Sequence, residues 1–298
     1  MKEKGLDRLL VFYAWTAALV LLLAVLAVFG FLLQRGLPVL NLKLIFGNAD
    51  PLAALGGRQP VFDGLYPAIV GTLMLVVLAV TLAVPVGLGA GIYLAEYSRG
   101  RQRALLGLFF DILAGTPSII VGLFGLTITI FLHRCLSAQI QPCLLISALS
   151  LAFLVLPYLA RTTQAALEEI EPAVRLTAPA LGASRRQNLF LVLLPQALPG
   201  IGSGILLAIG RCAEDTAVIM LTGAVAAAGL PRSLLDHYEA LPFSIYYYSS
   251  QYANPEELQR GYGAALILLA TCALLFILAF VLRQLLTRSR GIAAGWRP

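Results

Sequence analysis

The sequence predicts an all-α membrane protein with six transmembrane helices. Of its 298 residues, 59% are hydrophobic and 12% are charged, and the mean hydropathy is +0.87. About 20 apolar residues cross the roughly 30 Å of bilayer hydrocarbon as a helix. The alternating strands of a membrane β-barrel are absent, so helices remain to satisfy the backbone in lipid. The uncharged runs long enough to span are Leu9–Gln34, Gly64–Ala95, Ile112–Leu132, Cys135–Ala160, Gln187–Gly210 and Gly261–Leu282.

The basic residues predict the orientation of these helices. With the amino terminus inside, the inner segments hold fourteen Lys and Arg residues, the outer segments hold six, and Arg211 lies within a span. Because Lys and Arg accumulate in cytoplasmic loops, both termini are expected in the cytoplasm. The bias accounts for the net charge of +6 without a nucleic acid partner. The inner set is Lys2, Lys4, Arg8, Arg99, Arg101, Arg103, Arg161, Arg175, Arg185, Arg186, Arg283, Arg288, Arg290 and Arg297, and the outer set is Arg35, Lys43, Arg58, Arg134, Arg232 and Arg260.

The first two spans flank an outer loop. The first span is too long for a signal-peptide core, so we expect it to be retained. Residues 35–63 are rich in Gly, Pro and Asn and are expected to cover the outer end of the helix bundle. The second span, from Ala68 to about Tyr97, contains several glycines, which allow close helix packing, and Pro85, which should kink it.

A helix break is predicted in the third span. Asp111 is an ionisable group near its inner end, and the segment Ala114–Ser118 follows. Pro117 removes a backbone hydrogen bond, and the hydroxyls of Thr116 and Ser118 can satisfy the freed carbonyls. Two interpretations stay open: a kink needed for packing, or a hinge that lines a translocation path.

The fourth span, from about Pro142 to Tyr158, is expected to end at Pro157. Cys135 and Cys143 flank the short outer turn before it and can pair in an oxidising compartment. The sequence contains no CxxC or HExxH motif and only two histidines, so neither a metal site nor a cofactor is predicted.

Arg161–Pro195 is the longest stretch rich in charge, and it separates two apolar blocks, so we expect it in water. It predicts two short helices joined by a hinge. Pro172 is suited to the first turn of the first helix. Gly182 can adopt the left-handed conformation that ends this helix, and Ser184 can cap the start of the second helix. Such a hairpin beneath a membrane domain is shaped to serve as a docking site for another protein.

The fifth span, Gly200–Gly223, has small residues in its first half and charge at its centre. Arg211 and Asp215 are four residues apart and can pair, and Glu214 can compete for Arg211. A charge at mid-bilayer costs about 3 kcal/mol or more, so it should face a wet cavity or a partner. Two interpretations of these charged residues stay open: a structural salt bridge between helices, or a polar pathway through the membrane.

The rest of the chain completes one membrane domain, residues 1–298. Ala224–Arg260 predicts an outer loop whose tyrosines lie at the interface, and the sixth span runs from about Tyr262 to Leu282. No internal duplication is visible, and the chain has neither an ATP-binding GxxxxGK[ST] loop nor a catalytic constellation. We therefore expect no enzymatic activity of its own, and any uphill work would draw energy from a partner that grips the 161–195 hairpin.

In that hairpin the chain resembles the inner-membrane permeases of ABC importers, whose signature is EAA, three residues, Gly, nine residues and Ile-x-Leu-Pro. Ala178, Gly182, Val192, Leu194 and Pro195 keep this spacing, whereas Leu176 and Thr177 replace the leading Glu and Ala. The resemblance implies the type I importer permease fold, with a cytoplasmic coupling-helix hairpin that docks into the ATPase subunit. The residues that it assigns to ATPase docking are Arg175, Leu176, Thr177, Ala178, Leu181, Gly182 and Ala183.

Within that superfamily the chain is similar to the phosphate permeases, and more so to the PstA-type subunit. The fifth span of that family usually reads Arg-x-x-Gly-Glu-Thr-Ala-Pro. In this chain Arg211, Thr216 and Ala217 match, whereas Glu214, Asp215 and Val218 replace Gly, Glu and Pro. The other matching segments are EYSRG (Glu96–Gly100), DILAGTPSIIVGLFG (Asp111–Gly125), RTTQAAL (Arg161–Leu167) and LPFSIY (Leu241–Tyr246).

The resemblance implies a permease subunit of an ATP-driven importer that moves inorganic phosphate across the bacterial inner membrane. The implied partners are an ABC ATPase dimer, a second permease that forms a heterodimer, a periplasmic binding protein, the phosphate anion and membrane lipid. We assign to the translocation path the polar residues Arg211, Glu214, Asp215, Thr216, Asp111, Thr116, Pro117 and Ser118.

Other interpretations stay open at this point. Within the class, the chain can be a molybdate, sulfate or tungstate permease, or the sister phosphate permease. From a different class, an ion-coupled secondary carrier can use Arg211, Glu214 and Asp215 as a proton relay, although such carriers usually show repeated halves. A purely structural scaffold is hard to reconcile with three charges within one span.

Overall fold

A computed structural model describes residues 2–135 and 140–293, and over these ranges the protein is helical. Arg297, counted above with the inner basic residues, lies outside them. Six of the helices are long and apolar enough to cross a membrane, which confirms the predicted number of spans. These spans are α1, α4, α6, α7, α10 and α13 of the element series that follows.

The helices are α1 (Lys2–Gly36), α2 (Leu42–Phe46), α3 (Pro51–Leu55), α4 (Tyr66–Ile92), α5 (Gly100–Ala114), α6 (Ser118–Cys135), α7 (Leu144–Glu168), α8 (Pro172–Ala180), α9 (Arg185–Asn188), α10 (Leu194–Glu214), α11 (Ala217–Thr222), α12 (Leu241–Ser250) and α13 (Pro255–Ala293). Two π-helical turns extend these elements: Tyr93–Tyr97 continues α4, and Leu189–Leu193 joins α9 to α10.

The spanning helices alternate in direction, which gives the bundle two ends. We call the end where α1 begins and where α4, α7 and α13 finish the near end. The opposite end, where α1 finishes, is the far end. The ring of Phe31, late in α1, packs edge to face on Tyr262, early in α13, with centroids 5.7 Å apart. Antiparallel packing of these two helices therefore brings both termini of the described chain to the near end.

α7 is the central helix of the bundle, and α4 approaches it closely at two glycines. A Cβ atom on Gly87 would lie 2.5 Å from Cβ of Leu159. One on Gly91 would lie 2.5 Å from Cβ of Thr163 and 2.6 Å from the carbonyl oxygen of Ala160. Small residues let helix backbones approach closely, and the van der Waals packing that results is one of the forces that hold helices together in lipid.

α10 packs on another face of α7 in the same way. A Cβ atom on Gly200 would lie 2.5 Å from Cβ of Ala166, and one on Gly204 would collide with the side chain of Thr162. Ala208, one turn further along, is fully buried. The small-residue face predicted in the first half of the fifth span is therefore a packing face.

The prediction that the fourth span ends at Pro157 is wrong. α7 continues through Pro157 to Glu168, so residues 161–168 are its last two turns and do not belong to the hairpin. A proline inside a helix costs about 3 kcal/mol because a hydrogen bond is lost. Burial of the turns beyond it offsets that cost, through Leu159, Ala160, Thr163 and Leu167.

The fifth span is also not one continuous helix, as the segment Gly200–Gly223 had suggested. α10 ends at Glu214, and Asp215 has an extended backbone with φ −75° and ψ 115°. The Asp215 carboxylate then accepts a hydrogen bond from the backbone N–H of Val218 at 2.9 Å, at the start of α11. Short polar side chains compete with the helical backbone in this way, so the chain restarts as a new helix.

The break predicted in the third span is confirmed. α5 ends at Ala114 and α6 begins at Ser118, with Pro117 between them. The hydroxyl of Thr116 donates to the carbonyl of Ile112 at 2.9 Å, so one of the two expected side chains does satisfy a freed carbonyl.

The contact of α4 with α7 predicts opposite effects for two glycines of α4. Gly91→Ala should destabilise the protein by about 1–3 kcal/mol, because the added methyl group overpacks the contact with α7. Gly89→Ala adds a methyl group where no atom lies within 4 Å, so it should keep or raise stability through helix propensity. Thermal unfolding in detergent measures both. An unchanged melting temperature for Gly91→Ala would contradict the packing described here.

Candidate functional site

The hairpin between α7 and α10 has the local structure that the sequence predicted. Pro172 lies in the first turn of α8, and Gly182 ends the segment with φ +84°. The backbone N–H of Ser184 donates to the Gln187 side chain at 2.8 Å, and the Gln187 N–H donates to the Ser184 hydroxyl at 3.3 Å. This reciprocal capping box fixes the start of α9.

Arg175 ties α8 to the end of α4. Its Nη1 atom donates to Oε1 of Glu96 at 2.7 Å, and its Nη2 atom donates to the carbonyl of Leu167. Glu96 lies in the π-helical turn that extends α4, and its side chain is 11% exposed. Arg175 was assigned to ATPase docking by the resemblance, but the structure turns its guanidinium group toward the bundle.

Arg185 and Asn188 add further contacts to the same place. The guanidinium group of Arg185 donates to the backbone carbonyl of Glu96 and lies 4.6 Å from the ring centroid of Tyr97. The side-chain amide of Asn188 is buried and donates to the carbonyl of Arg175 at 3.0 Å. We call Glu96, Tyr97, Arg175, Arg185 and Asn188 the hairpin brace, because they fix α8 and α9 to the near end of α4.

The surface of the hairpin that points away from the bundle is partly apolar. Leu176 is 66% exposed and Leu181 is 85% exposed. Gly182 has no atom within 4 Å of an added Cβ, and Ala178 and Ala183 are half-buried. The Thr177 hydroxyl donates to a carbonyl of its own helix, that of Ala173. Exposed leucines on a polar hairpin are typical of a surface that contacts another protein.

The charged residues of the fifth span form one cluster at the end of α10. Nη1 of Arg211 donates to Oε1 of Glu214 at 3.0 Å, and its Nη2 lies 3.8 Å from Oδ2 of Asp215. Both predicted pairings are therefore present. The Asp215 side chain is 3% exposed and held by the N–H of Val218, whereas that of Glu214 is 63% exposed.

This cluster lies level with the central turns of α7. Nearer the near end, Gly204 of α10 packs on Thr162. Nearer the far end, the hydroxyls of Thr222 and Ser147 are hydrogen-bonded at 2.9 Å. Arg211 and Asp215 lie between these two contacts, which supports the mid-bilayer depth that the sequence suggested.

Asp111 lies elsewhere. Its carboxylate binds Arg161 of α7, with an N–O distance of 2.6 Å, and the same guanidinium donates to the carbonyl of Gly107 at 2.7 Å. Arg161 is next to the contact with Gly204, which precedes Glu214 by ten residues, or about 15 Å of helix. The structure therefore does not bring Asp111 to Arg211.

The break at Thr116, Pro117 and Ser118 is closer in depth to the charged cluster. Gly122 of α6 packs on α11, where a Cβ atom would lie 3.1 Å from the carbonyl of Ala217. Ser118 precedes Gly122 by about one helical turn. The two helix breaks, one before α6 and one before α11, thus lie at similar depths in the bundle.

A loop of residues 223–240, which we call the far-end loop, covers the far end of α7. The N–H of Leu145 donates to the carbonyl of Leu234 at 2.8 Å, and that of Leu144 to Asp236 at 3.1 Å. The first N–H groups of a helix have no partner within it. The far-end loop supplies these partners and is thereby fixed in place.

Glu239 holds the far-end loop from inside. Its side chain is buried, and Oε1 accepts a hydrogen bond from the N–H of Gly229 at 2.9 Å. Burial raises the pKa of this carboxyl to about 7, and hydrogen bonds from the N–H groups of Gly229 and Ala228 partly oppose that rise. Removal from water disfavours the charged form of a carboxyl group.

Two of these features were missed by sequence reasoning, the hairpin brace and the buried Glu239. Glu96 and Arg175 are 79 residues apart, and Arg103 of α5 likewise binds Glu168, 65 residues away. No spacing rule links residues so distant in one sequence. For Glu239 the one available signal is its position in an apolar segment.

Comparison with known proteins places the chain among transporters. The family described as "Binding-protein-dependent transport system inner membrane component" matches residues 87–291. The phosphate transport system permease protein PstA 1 of Mycobacterium tuberculosis is 34% identical over 77% of this chain and 72% of its own length. The probable phosphate transport system permease protein PstA of Methanocaldococcus jannaschii is 29% identical over 91% of each chain.

A solved structure shares the fold. A bacterial ABC transporter involved in the import of the acidic polysaccharide alginate aligns with a TM-score of 0.59 and 16% sequence identity. The alignment covers 89% of this chain and 95% of the other. The fold is therefore that of type I ABC importer permeases.

The hairpin brace predicts how the hairpin responds to loss of one carboxylate. Glu96→Ala removes the buried partner of Arg175, a charge-assisted hydrogen bond worth about 1.5–3 kcal/mol. Amide hydrogen exchange in α8 and α9 should then rise by about tenfold or more. Glu171→Ala is the matched control, since Glu171 precedes α8 and forms no side-chain cap. Equal exchange in both variants would show that the brace does not hold the hairpin.

The raised pKa of Glu239 predicts a pH dependence of stability. Between pH 4.5 and about 7 the folded protein keeps a proton that the unfolded chain releases, so the free energy of unfolding should fall as pH rises. Tyr248 interacts electrostatically with Glu239. Burial raises the pKa of Tyr248, so it stays neutral between pH 4.5 and 7.

Glu239→Gln keeps a carbonyl acceptor for Gly229 and removes the titrating group. Thermal unfolding at pH 5 and pH 7.5 should therefore show a smaller loss of melting temperature in this variant than in the wild type. Glu256→Gln, which changes an exposed carboxylate, should keep the wild-type pH dependence. If Glu239→Gln kept it as well, the assignment of the proton to Glu239 would be wrong.

Proposed function

We propose that this chain, which belongs to the family of binding-protein-dependent transport system inner membrane components, is a permease subunit of an ATP-driven importer of inorganic phosphate. The assignment of phosphate as the substrate rests on the similarity, over most of the chain, to phosphate transport system permeases. The alternatives of another oxyanion and of an ion-coupled carrier have no comparable support. The chain itself is a transport subunit, and a separate ATPase pair supplies the energy.

The hairpin is the contact with the ATPase in this proposal. Leu176 and Leu181 insert into an apolar cleft, and the small residues Ala178 and Gly182 allow close approach. Arg175 does not touch the ATPase in this proposal. Its guanidinium group links the docking surface to Glu96. A movement of the ATPase would pass through the hairpin brace to α4 and, along α9, to α10.

The near end faces the cytoplasm in this proposal, as the excess of basic residues there favours. The binding protein then delivers phosphate to the far end, and a sister permease completes the membrane domain as a heterodimer. The bacterial inner membrane is the expected location.

Arg211 is proposed to pass the anion at mid-depth. Its two carboxylate partners differ, because Asp215 is buried and fixed by a backbone N–H, whereas Glu214 is exposed and, within the described residues, pairs with Arg211 alone. Glu214 can therefore release Arg211 to an arriving anion and displace that anion afterwards. Asp215 keeps the guanidinium group in place throughout. The local charge of −1 prevents the anion from being trapped.

Uptake of labelled phosphate into proteoliposomes tests the proposal. The chain would be purified together with its ATPase and second permease, and the binding protein would be added outside. ATP-dependent uptake that molybdate and sulfate do not outcompete is expected. Uptake of another oxyanion in preference to phosphate would change the substrate assigned to the importer. Uptake driven by a proton gradient without the ATPase would overturn the proposal.

Arg211→Ala should lower phosphate uptake by about tenfold or more, equivalent to at least 1.4 kcal/mol in the barrier. Assembly with the ATPase should persist, because Arg211 is far from the hairpin. Arg134→Ala, an exposed arginine at the far end of α6, serves as the control and should transport normally. Normal uptake by well-expressed Arg211→Ala protein would remove Arg211 from the path.

A further inference from the structure

A cavity of about 1090 Å³ opens at the far end, between the far-end loop and residues 57–62. Its wall includes apolar side chains such as Phe62 and Leu235. It also carries two arginines, Arg58 and Arg232, together with His237 and two side-chain amides. Of these polar residues, Arg58 and Arg232 entered the sequence analysis only as outer basic residues, and no site was predicted here.

The wall of the cavity has an excess of positive charge. Within residues 2–135 and 140–293, the guanidinium groups of Arg58 and Arg232 form no salt bridge. Asp236 is the carboxylate in the cavity wall, so the two arginines and Asp236 together give a formal charge of +1. Its Oδ2 atom accepts hydrogen bonds from the backbone N–H groups of Arg232 at 3.0 Å and Ser233 at 2.8 Å.

The wall of the cavity is held before any ligand arrives. Residues 225–229 of the far-end loop line it, and Glu239 binds the N–H of Gly229 from behind. The N–H of Val225 donates to the carbonyl of Tyr238 at 3.0 Å, which closes the base of the loop. Ala227 has φ +56°, a left-handed conformation that costs an alanine roughly 1–2 kcal/mol. Backbone strain of this kind persists where surrounding contacts enforce it, often at ligand sites.

We infer that this far-end cavity binds a small tetrahedral oxyanion through Arg58 and Arg232, before the ion enters the bundle. The inference rests on the proposed function for the direction of travel. A guanidinium group presents paired N–H donors that match the oxygens of an oxyanion. Positive charge in a cleft also raises the local anion concentration and the rate of encounter.

The size of the cavity fits a weak, transient site. A water molecule takes up about 30 Å³, so the cavity holds an oxyanion together with much of its hydration shell. An ion held through both arginines and bridging waters keeps part of its hydration and leaves easily. Such a site collects phosphate at the far end and passes it toward Arg211.

Chemical protection of individual arginines tests this inference on the native chain. The full-length protein in a maltoside detergent, which contains no phosphate, would be treated with phenylglyoxal, and mass spectrometry would give the rate of modification at each arginine. Inorganic phosphate should slow the reaction of Arg58 and Arg232 by about threefold at twice its Kd, from the factor 1 + [L]/Kd. Arg134, exposed at the far end but outside the cavity, should react at an unchanged rate.

Several outcomes would overturn the inference. Equal rates at Arg58 and Arg232 with and without phosphate would do so, as would equal protection by chloride at the same ionic strength. Protection by the binding protein free of phosphate, with none by phosphate alone, would show that the cavity receives a partner's carboxylates instead. Protection by sulfate as well as phosphate would support a site for oxyanions as a class.

The uptake assay separates this inference from the proposed function. The double variant Arg58→Gln and Arg232→Gln should raise the concentration of phosphate-loaded binding protein that gives half-maximal uptake. If phosphate gives no protection while the wild-type importer still transports it, the cavity assignment fails and the proposed function stands. If phosphate protects both arginines but the importer does not transport it, the proposed function fails and the site remains.

Discussion

The close approach of α4 and α10 to α7 is the constraint on which the rest of the structure depends. In lipid the hydrophobic effect does not drive helices together, so small residues that allow backbone contact must do so. Gly87, Gly91, Gly200 and Gly204 provide this contact on two faces of α7. Because three helices are fixed against one another in this way, their near ends form a stable platform for the hairpin, and their far ends form one for the far-end loop.

In the proposed function, the hairpin brace would transmit movement of the hairpin to that platform. Two π-helical turns lie beside the hairpin, Tyr93–Tyr97 at the end of α4 and Leu189–Leu193 before α10. A π-helical turn has one residue more than the α-helical hydrogen-bond pattern accommodates, and such turns occur frequently at functional sites. Arg175 and Arg185 both bind Glu96, inside one of these turns. A displacement of α8 would therefore act on this π-helical turn of α4 and, through the hydrogen bond from Arg175 to the carbonyl of Leu167, on the end of α7.

Sequence reasoning predicted the parts of this molecule that depend on local chemistry. Six spans follow from hydropathy, the turn of the hairpin from Gly182 and Ser184, and the break before α6 from Pro117. Its errors have a common cause, since Pro157 and the unbroken fifth span were judged by local propensity, whereas tertiary packing and the Asp215 carboxylate decided the outcome. The hairpin brace and the far-end cavity join residues far apart in sequence, so a single sequence contains no signal for them.

The arginines of the protein are arranged differently along the path proposed for the anion. At the near end, Arg103, Arg161 and Arg175 each bind a carboxylate, so their charge is neutralised in place. At mid-depth, Arg211 shares two carboxylates, of which one can move. At the far end, the guanidinium groups of the two cavity arginines form no salt bridge within the described chain. This difference concerns the arginines named here and not the net charge of each end, because further basic residues such as Arg99, Arg101 and Arg186 lie at the near end. In the proposed path an anion meets guanidinium groups without a salt bridge in the described chain first, and Arg211, which shares two carboxylates, afterwards. That order favours entry of the anion at the far end without a tight site at mid-depth.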